Sequence, residues 1–200
     1  MHYDPRLRNH NLRHDPLTAL VVPRPIGWIS TISPAGVVNL APYSFFNAVA
    51  ANPPFVMFAS GGRKHSQRNA EATGEFVHNL TVWELREEMN ITSADVGEEV
   101  SEPELAKLAM APSVAVKPPR VARTPVAFEC KYLKTVDLPG PGGKPHPFSI
   151  VIGEIVSIFI DDSVIVGGNV DLSRARPIAR LGYLDEYTAV DTIFRMKRPG

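Results

Sequence analysis

Short apolar runs rich in β-branched residues, each bounded by Pro or Gly, recur along the chain from residue 19 onward. Runs of this length and composition predict strands. In the run at 126–136 apolar and polar residues alternate with a period of two, which is typical of a half-buried strand. The run at 150–160 is apolar enough to predict a strand covered on both faces. The predicted strands span residues 26–32, 37–40, 55–59, 76–82, 126–136 and 150–160.

The helix signals are few and short. The segment from His65 to Thr73 stops before Gly74, a residue suited to the left-handed conformation that ends helices. Residues 83–90 carry Leu85 and Met89 four positions apart with charges between them, and predict an amphipathic helix. Ser101-Glu-Pro-Glu has the form of a capping box and predicts a third short helix after it. Many strands with few helices predict a mainly β fold, a β-barrel with short peripheral helices.

Proline and glycine positions divide the chain. Asp4-Pro5 and Asp15-Pro16 interrupt a polar lead-in, so residues 1–18 are predicted to form an N-terminal arm. Residues 19–200 are predicted to form one domain, long enough to bury a substantial core. The segment 139–147 is rich in Pro and Gly and predicts a loop between two strands, and Asn52-Pro-Pro predicts a rigid turn between strands.

Composition narrows the class of protein. Hydrophobic residues make up 44% and charged residues 21%, as in soluble globular proteins. Lys plus Arg and Asp plus Glu number 21 each, so no global field favours nucleic acid or an anionic membrane, and an anion site must be local. Cys130 is the single cysteine, which excludes an intrachain disulfide and fits a small core residue. The start of the chain lacks an apolar signal region and no run approaches the ~20 residues of a membrane span, so we expect a cytoplasmic protein.

A basic turn precedes the first predicted helix. The Gly61-Gly62 pair lets a ligand approach the backbone, and Arg63 and Lys64 supply positive charge. Ser66 is placed to cap the helix, whose first amides favour a phosphate, and Asn69 lies one turn further on. The alternative is a solvated loop with an ordinary helix cap, and the spacing alone does not separate the two.

Hydroxyl, amide and aromatic side chains cluster on the first two strands and the segment after them. Such groups could hold the polar edge of a flat heterocycle and wall its face. In the alternative interpretation the aromatic residues belong to the core and the polar ones form turns. The cluster comprises Trp28, Ser30, Thr31, Asn39, Pro42, Ser44, Phe45 and Phe46.

Several other chemistries lack their signatures. The sequence contains neither a GxGxxG fingerprint nor a P-loop, and no Gly-x-Ser-x-Gly elbow. The six histidines are dispersed without metal-ligand spacing, so we expect no metal site. Asp161-Asp162 is interpreted as a solvated strand end.

Taken in order, six segments resemble the flavin reductase-like, FMN-binding split-barrel family. The resemblance covers residues 19–190 and implies a split β-barrel that binds FMN non-covalently, as a homodimer with flavin near the subunit interface. The segments are RPIGWIST, GVVNLAPYSFF, PPFVMF, RKHSQRNAEATGEFVHN, GEIVSIFIDDSVI and PIARLGYLDEY.

The resemblance also implies site residues. Relatives often read Lys-Asp-Thr where this chain has Lys64-His65-Ser66, which leaves the role of His65 open. Arg180 and Tyr187 lie in a segment that approaches the nicotinamide or flavin face in relatives. No catalytic side chain is otherwise assigned. Together with Trp28, the predicted cofactor-binding residues are Ser30, Thr31, Asn39, Ala41, Pro42, Ser44, Phe45, Phe46, Arg63, Lys64, Ser66 and Asn69.

The implied function is an oxidoreductase in which NADH or NADPH passes hydride to FMN, and reduced flavin serves a redox partner such as a monooxygenase. One alternative is a flavin-bound electron carrier of the flavoredoxin type with no NAD(P)H activity of its own. Another is a barrel that has lost flavin and acts as a binding module. The basic turn with Asn39 and Ser44 argues against the last. Nothing in the sequence separates the first two or selects the nicotinamide.

Overall fold

The computed structural model describes residues 1–200 and is dominated by strands. Its α-helices are α1 (Leu17–Leu20), α2 (His65–Thr73), α3 (Arg86–Ile91), α4 (Glu102–Leu105) and α5 (Leu172–Ala175). Its strands are β1 (Arg24–Pro25), β2 (Gly27–Ile32), β3 (Val38–Tyr43), β4 (Phe46–Ala51), β5 (Pro54–Gly61), β6 (Glu75–Leu80), β7 (Met110–Ala111), β8 (Arg120–Val121), β9 (Val126–Pro139), β10 (Pro145–Ile160), β11 (Ile165–Val166), β12 (Asn169–Val170), β13 (Ile178–Arg180) and β14 (Tyr187–Ala189).

The main sheet has seven antiparallel strands in the order β3-β2-β6-β9-β10-β5-β4. Its two edge strands, β3 and β4, are consecutive in the chain and only Ser44 and Phe45 separate them. The sheet must therefore curl until its edges meet, yet β3 and β4 form no ladder with each other. This arrangement is a barrel split along one seam, and the predicted mainly β, split-barrel fold with short peripheral helices is confirmed.

The core lies on both faces of β2. Because alternate residues of a strand point to opposite faces, Ile29 packs into one buried cluster and Trp28 into another. The first cluster fills the barrel and the second packs beneath α3. Fully burying a large apolar side chain contributes about 1.5–3 kcal/mol. The barrel cluster comprises Ile29, Tyr43, Phe46, Val56, Phe58, Ala70, Phe76, Cys130 and Val151, so Cys130 is a core residue as predicted.

The first two predicted helices are confirmed. Helix α2 spans the predicted residues, and Gly74 ends it in the left-handed conformation with φ 76°. Residues 83–90 form a 3₁₀ turn, Trp83–Leu85, followed by α3.

Two predicted caps are wrong. Helix α2 begins at His65 with Lys64 as its N-cap residue, so Ser66 lies within the first turn instead of capping it. Ser101 makes no side-chain cap, and α4 has only four residues. Lys107 has φ 54°, a left-handed conformation that ends the helix, and Met110 already belongs to a strand.

Three strand predictions are corrected. The exposed strand β4 was not predicted, because its apolar residues show no alternation. Most of the predicted loop 139–147 belongs to the ends of β9 and β10, with a 3₁₀ turn at Pro141–Gly143 between them. The run 150–160 is not covered on both faces, since Val156 is 42% and Ile158 is 52% exposed. The predicted turn at Asn52-Pro-Pro does connect two strands, β4 and β5.

Arg24 joins the two ends of the chain to the barrel. Its buried guanidinium donates to the carbonyl oxygens of Val21 (2.8 Å) and Leu181 (2.7 Å), and also to that of Thr18. Helix α1 crosses the predicted boundary at residue 18, and the division into an arm and one domain stays a prediction. No helix is both long and apolar enough to cross a membrane.

Candidate functional site

A cleft of about 720 Å³ opens beside the start of α2. Small-molecule sites commonly measure about 300–1,000 Å³. Its walls come from the end of β3 and the following corner, the β5–α2 turn, the segment 92–96, and the start of β10. It therefore lies at the corner where the two edges of the barrel come together.

One end of the cleft is basic. Gly62 and Arg63 adopt left-handed φ values of 79° and 50°, which turn the chain directly into α2. No side chain caps this nine-residue helix, so its first amide groups and positive dipole end are available to an anion. Arg63, Lys64 and Arg68 line the cleft here. Ion pairing does not bury these cations. Lys64, for example, lies 3.9 Å from Asp95, and its side chain is still 57% exposed.

The other end is apolar and aromatic. The rings of Phe45 and Phe148 meet edge to face with centroids 5.9 Å apart. Ala41 and Pro42 continue this wall. A Cβ atom on Gly61 would lie 3.0 Å from the Phe148 ring, so glycine is what allows the ring to lie against the backbone. The surface suits one face of a flat ring system.

Between these ends the wall is polar and largely buried. The Asn39 amide lies 2.8 Å from the Ser66 hydroxyl, and the Leu40 amide donates to Glu102 Oε2 at 3.1 Å. Glu102 is only 3% exposed, and this burial raises the pKa of its carboxyl. Burial also raises the pKa of Tyr43, whose hydroxyl oxygen is buried without a hydrogen-bond partner.

Seven of the predicted binding residues line this one cleft, although they are up to 25 positions apart in sequence. They bring together the amide, the aromatic wall and the cations that were interpreted separately in the sequence. The seven are Asn39, Ala41, Pro42, Ser44, Phe45, Arg63 and Lys64.

The other predicted binding residues lie behind the wall. Trp28 is fully buried and its indole donates to the Thr92 hydroxyl (2.9 Å), and Thr92 itself lines the cleft. Ser30 donates to the Pro119 carbonyl (2.6 Å). The remaining side chains connect elements of the barrel: Thr31 accepts from Asn69 (3.1 Å), Phe46 stacks on His78 (4.3 Å), and Ser66 contacts Asn39.

Arg180 and Tyr187 lie in a different cleft, of about 550 Å³. The Arg180 guanidinium sits 4.5 Å from the Tyr187 ring centroid. Beside them the Trp83 ring is flanked by Arg86 and Arg176, at 4.2 and 4.4 Å. Within one chain the structure does not bring these residues into the first cleft.

Sequence reasoning missed several residues of the first cleft. Phe148 follows a Pro- and Gly-rich segment that was interpreted as a loop, although the apolar run after it was a usable signal. Glu102 had no signal, because a glutamate beside a proline at a helix start resembles an exposed first-turn residue. The other missed residues are Tyr43, Ala59, Arg68, Thr92, Ser93, Ala94, Asp95, Val96 and Pro147, and His65, whose role was left open, also lines the cleft.

A split barrel whose cleft joins a basic, uncapped helix start to an aromatic wall suits a planar ligand that carries a phosphate. The family model described as "Flavin reductase like domain" matches residues 19–170. The chain therefore belongs to the flavin reductase-like family, which confirms the resemblance and supports a flavin-related redox function.

Relatives and solved structures are similar to this chain over most of its length. A protein of Aquifex aeolicus is 40% identical over 169 residues, which cover 82% of this chain and 83% of that protein. The structure of nitrilotriacetate monooxygenase component B from Bacillus cereus superposes with a TM-score of 0.89 at 30% identity, covering 98% of both chains. The 2-nitrobenzoate 2-nitroreductase NbaA of Pseudomonas fluorescens gives a TM-score of 0.85 at 27% identity, covering 100% of this chain and 96% of that one.

Proposed function

We propose that this protein binds FMN in the cleft beside α2 and catalyses NAD(P)H-dependent reduction of the flavin. The observation that carries the proposal is the polarity of the cleft, with cations and an uncapped helix start at one end and an aromatic wall at the other. FMN has the matching polarity, with a phosphate at one end and a planar ring system at the other. The cleft, at about 720 Å³, is also within the size range of small-molecule sites.

At the basic end, Lys64 and Arg63 would hold the phosphate by charge-assisted hydrogen bonds, together with the first amides of α2. Arg68 adds a third cation to the lining. These groups bind and orient the ligand, and they do not take part in bond making.

At the aromatic end, Phe45 and Phe148 would support one face of the ring system and exclude water from it. Asn39 and Ser44 present polar groups toward its edge. Trp28, Ser30, Thr31, Phe46, Ser66 and Asn69 would support this surface from behind, since they connect the strands and α2 beneath it.

The bound FMN supplies the redox chemistry, as hydride acceptor from NADH or NADPH. The protein needs no general acid or base at that step, and none of the cleft residues is assigned one. The similar Bacillus cereus protein is by name a component of a monooxygenase. We extend this to the present chain, with reduced flavin passing to a redox partner such as a monooxygenase.

A homodimer is part of the proposal. Five of the six residues of edge strand β4 are exposed, and none of the six is charged. Uncharged exposed edges invite pairing with another chain. Val49, Val156 and Ile158 are each 42–56% exposed, and a second copy would cover such apolar positions.

Steady-state oxidation of NADH and of NADPH with added FMN tests the proposed activity. We expect turnover with at least one donor, and that turnover should fall in Phe45→Ala, which removes one of the two rings of the aromatic wall. Absence of activity with both donors would refute the proposed reductase. If flavin is then bound and dithionite reduces it, the electron-carrier alternative replaces the reductase.

A further inference from the structure

Residues 93–100, here called the acidic strap, connect α3 to α4 and run past the start of α2. Both ends of the strap are anchored by buried side chains. Before it, the Thr92 hydroxyl accepts from the Trp28 indole at 2.9 Å. After it, Glu102 accepts from the Leu40 amide at 3.1 Å. The strap is therefore fixed at its two ends to the strands β2 and β3.

Between these anchors, the backbone of the strap is bonded only locally. The amides of Ser93 and Ala94 donate to carbonyls at the end of α3, and the Val100 amide donates to Gly97 within the strap. No backbone hydrogen bond joins residues 95–99 to any other element. Segments with so few contacts to the rest of a protein open at a low cost in free energy.

Two ion pairs hold the middle of the strap to α2. Asp95 lies 3.9 Å from Lys64, and Glu98 pairs with Arg68. Asp95 lines the first cleft, and Glu98 lines an adjoining cleft of about 560 Å³. All four side chains are at least 45% exposed. Exposed ion pairs contribute little to stability and are screened by salt, so a stronger anion can replace these carboxylates.

The two cations belong to the end of the cleft that the proposed function assigns to phosphate. Arg63, the third cation there, pairs instead with Glu71 of α2 itself. In the ligand-free protein the strap therefore places its carboxylates beside Lys64 and Arg68, where phosphate oxygens would bind. A phosphate carries more charge than a carboxylate and can also accept from the uncapped first amides of α2. It therefore competes successfully with the strap for these cations.

We propose that the acidic strap is a built-in competitor of the ligand: the carboxylates of Asp95 and Glu98 pair with the α2 cations in the empty cleft, and the phosphate of the ligand replaces them and releases the strap. The proposal rests on the proposed binding of FMN and makes these two carboxylates determinants of FMN affinity. Because the ligand must break two ion pairs, FMN is held less tightly than the basic end alone would hold it. The strap thus favours flavin that exchanges with solvent.

Neutral variants of the strap test the competition by fluorescence titration with FMN. Asp95→Asn and Glu98→Gln should each tighten FMN binding about 3-fold, the effect of losing one exposed ion pair, and the double variant should tighten it about 10-fold. Riboflavin, which lacks the phosphate, should bind all of these proteins equally well. Glu99→Gln removes the same charge from a strap residue that forms no ion pair, and should change FMN affinity much less.

Two results of this titration would overturn the proposal. An equal gain in Glu98→Gln and Glu99→Gln would show that net charge alone sets the affinity. Unchanged or weaker FMN binding in the double variant would show that the strap does not compete.

Release of the strap is measured by NMR relaxation of its backbone amides. The order parameters of residues 95–99 should fall when FMN is added to the wild type, but not when riboflavin is added. The double variant should show the low values without ligand, and Glu99→Gln should keep the wild-type values. Order parameters that rise with FMN, or that are unchanged in the double variant, would contradict release.

Failure of FMN to bind would refute the proposed function instead. The ligand-free comparison of the double variant with Glu99→Gln would then still decide whether the two ion pairs hold the strap.

Discussion

At the scale of single residues, exposure separates the roles of the charged groups. Lys64 and Glu102 line the same cleft, but the lysine side chain is 57% exposed and Glu102 is 3% exposed. The exposed cation is available to a ligand. The buried carboxyl is sensitive to every charge that enters the cleft, because water screens it poorly.

Lys64→Gln removes one phosphate partner while keeping most of the side-chain length. We expect FMN affinity to fall about 10-fold, the effect of losing one charge-assisted hydrogen bond. Riboflavin affinity should remain unchanged, because that ligand carries no phosphate. Fluorescence titration with both flavins measures this. Lys134→Gln, outside the cleft, is the matched control. Equal losses for FMN and riboflavin would contradict the assignment of the basic end.

His78 provides a prediction on stability. Complete burial against Phe46 and Phe128 lowers the pKa of His78 from 6.5 to about 3. Below pH 6.5 the unfolded chain therefore binds a proton that the folded chain excludes. The contribution of neutral His78 to the free energy of unfolding is fully present above pH 6.5. The free energy of unfolding should then fall by about 1.4 kcal/mol per pH unit as the pH drops toward 3.

Denaturant unfolding at a series of pH values tests this contribution. His78→Gln should remove that part of the slope, whatever its effect on stability at neutral pH. His2→Gln, at an exposed position, should leave the slope as in the wild type. A wild-type slope retained in His78→Gln would show that other groups cause it.

At the scale of elements, α2 sets the basic end of the cleft, since it follows the basic turn directly and supplies the amides of the helix start. Its end depends on Gly74, whose φ of 76° costs an L-residue without an amide side chain about 1 kcal/mol. Gly74→Ala should therefore lower the free energy of unfolding by about that amount. Gly74→Asn should lower it less, because Asn tolerates this conformation better. Thermal or denaturant unfolding of both variants checks the order, and equal losses would contradict it.

The elements also show how much of the fold could be predicted from the sequence. Helix α2 and strand β9 were predictable because Gly74 stops one and an apolar-polar alternation marks the other. Strand β4 was not, because its pairing depends on β5 and its exposed residues have no periodic pattern.

The residues of the cleft likewise divide into those that a local sequence pattern predicts and those that it does not. Asn39, Phe45 and Lys64 were found from residue type and motif. Glu102 was missed because its burial depends on the Leu40 amide, 62 positions away in sequence. Contacts between residues so far apart in sequence are set by the tertiary fold, and no local sequence pattern predicts them.

At the scale of the whole molecule, the curled sheet leaves β4 as an uncharged exposed edge near the cleft corner. Val49→Lys places a charge on that edge and should shift the proposed homodimer toward monomer. Sedimentation or light scattering over a range of concentrations measures the change. Val114→Lys, at an 88% exposed position outside the main sheet, should leave the mass as in the wild type. A dimer unaffected by Val49→Lys would place the interface elsewhere.

We propose above all that one cleft holds FMN and allows a nicotinamide to reduce it. The most direct measurement is the visible absorbance spectrum of the protein mixed with FMN in the absence of oxygen, before and after NADH or NADPH. We expect a flavin spectrum altered by binding, which then bleaches with at least one of the two donors. A spectrum identical to that of free FMN, with no bleaching by either donor, would contradict it.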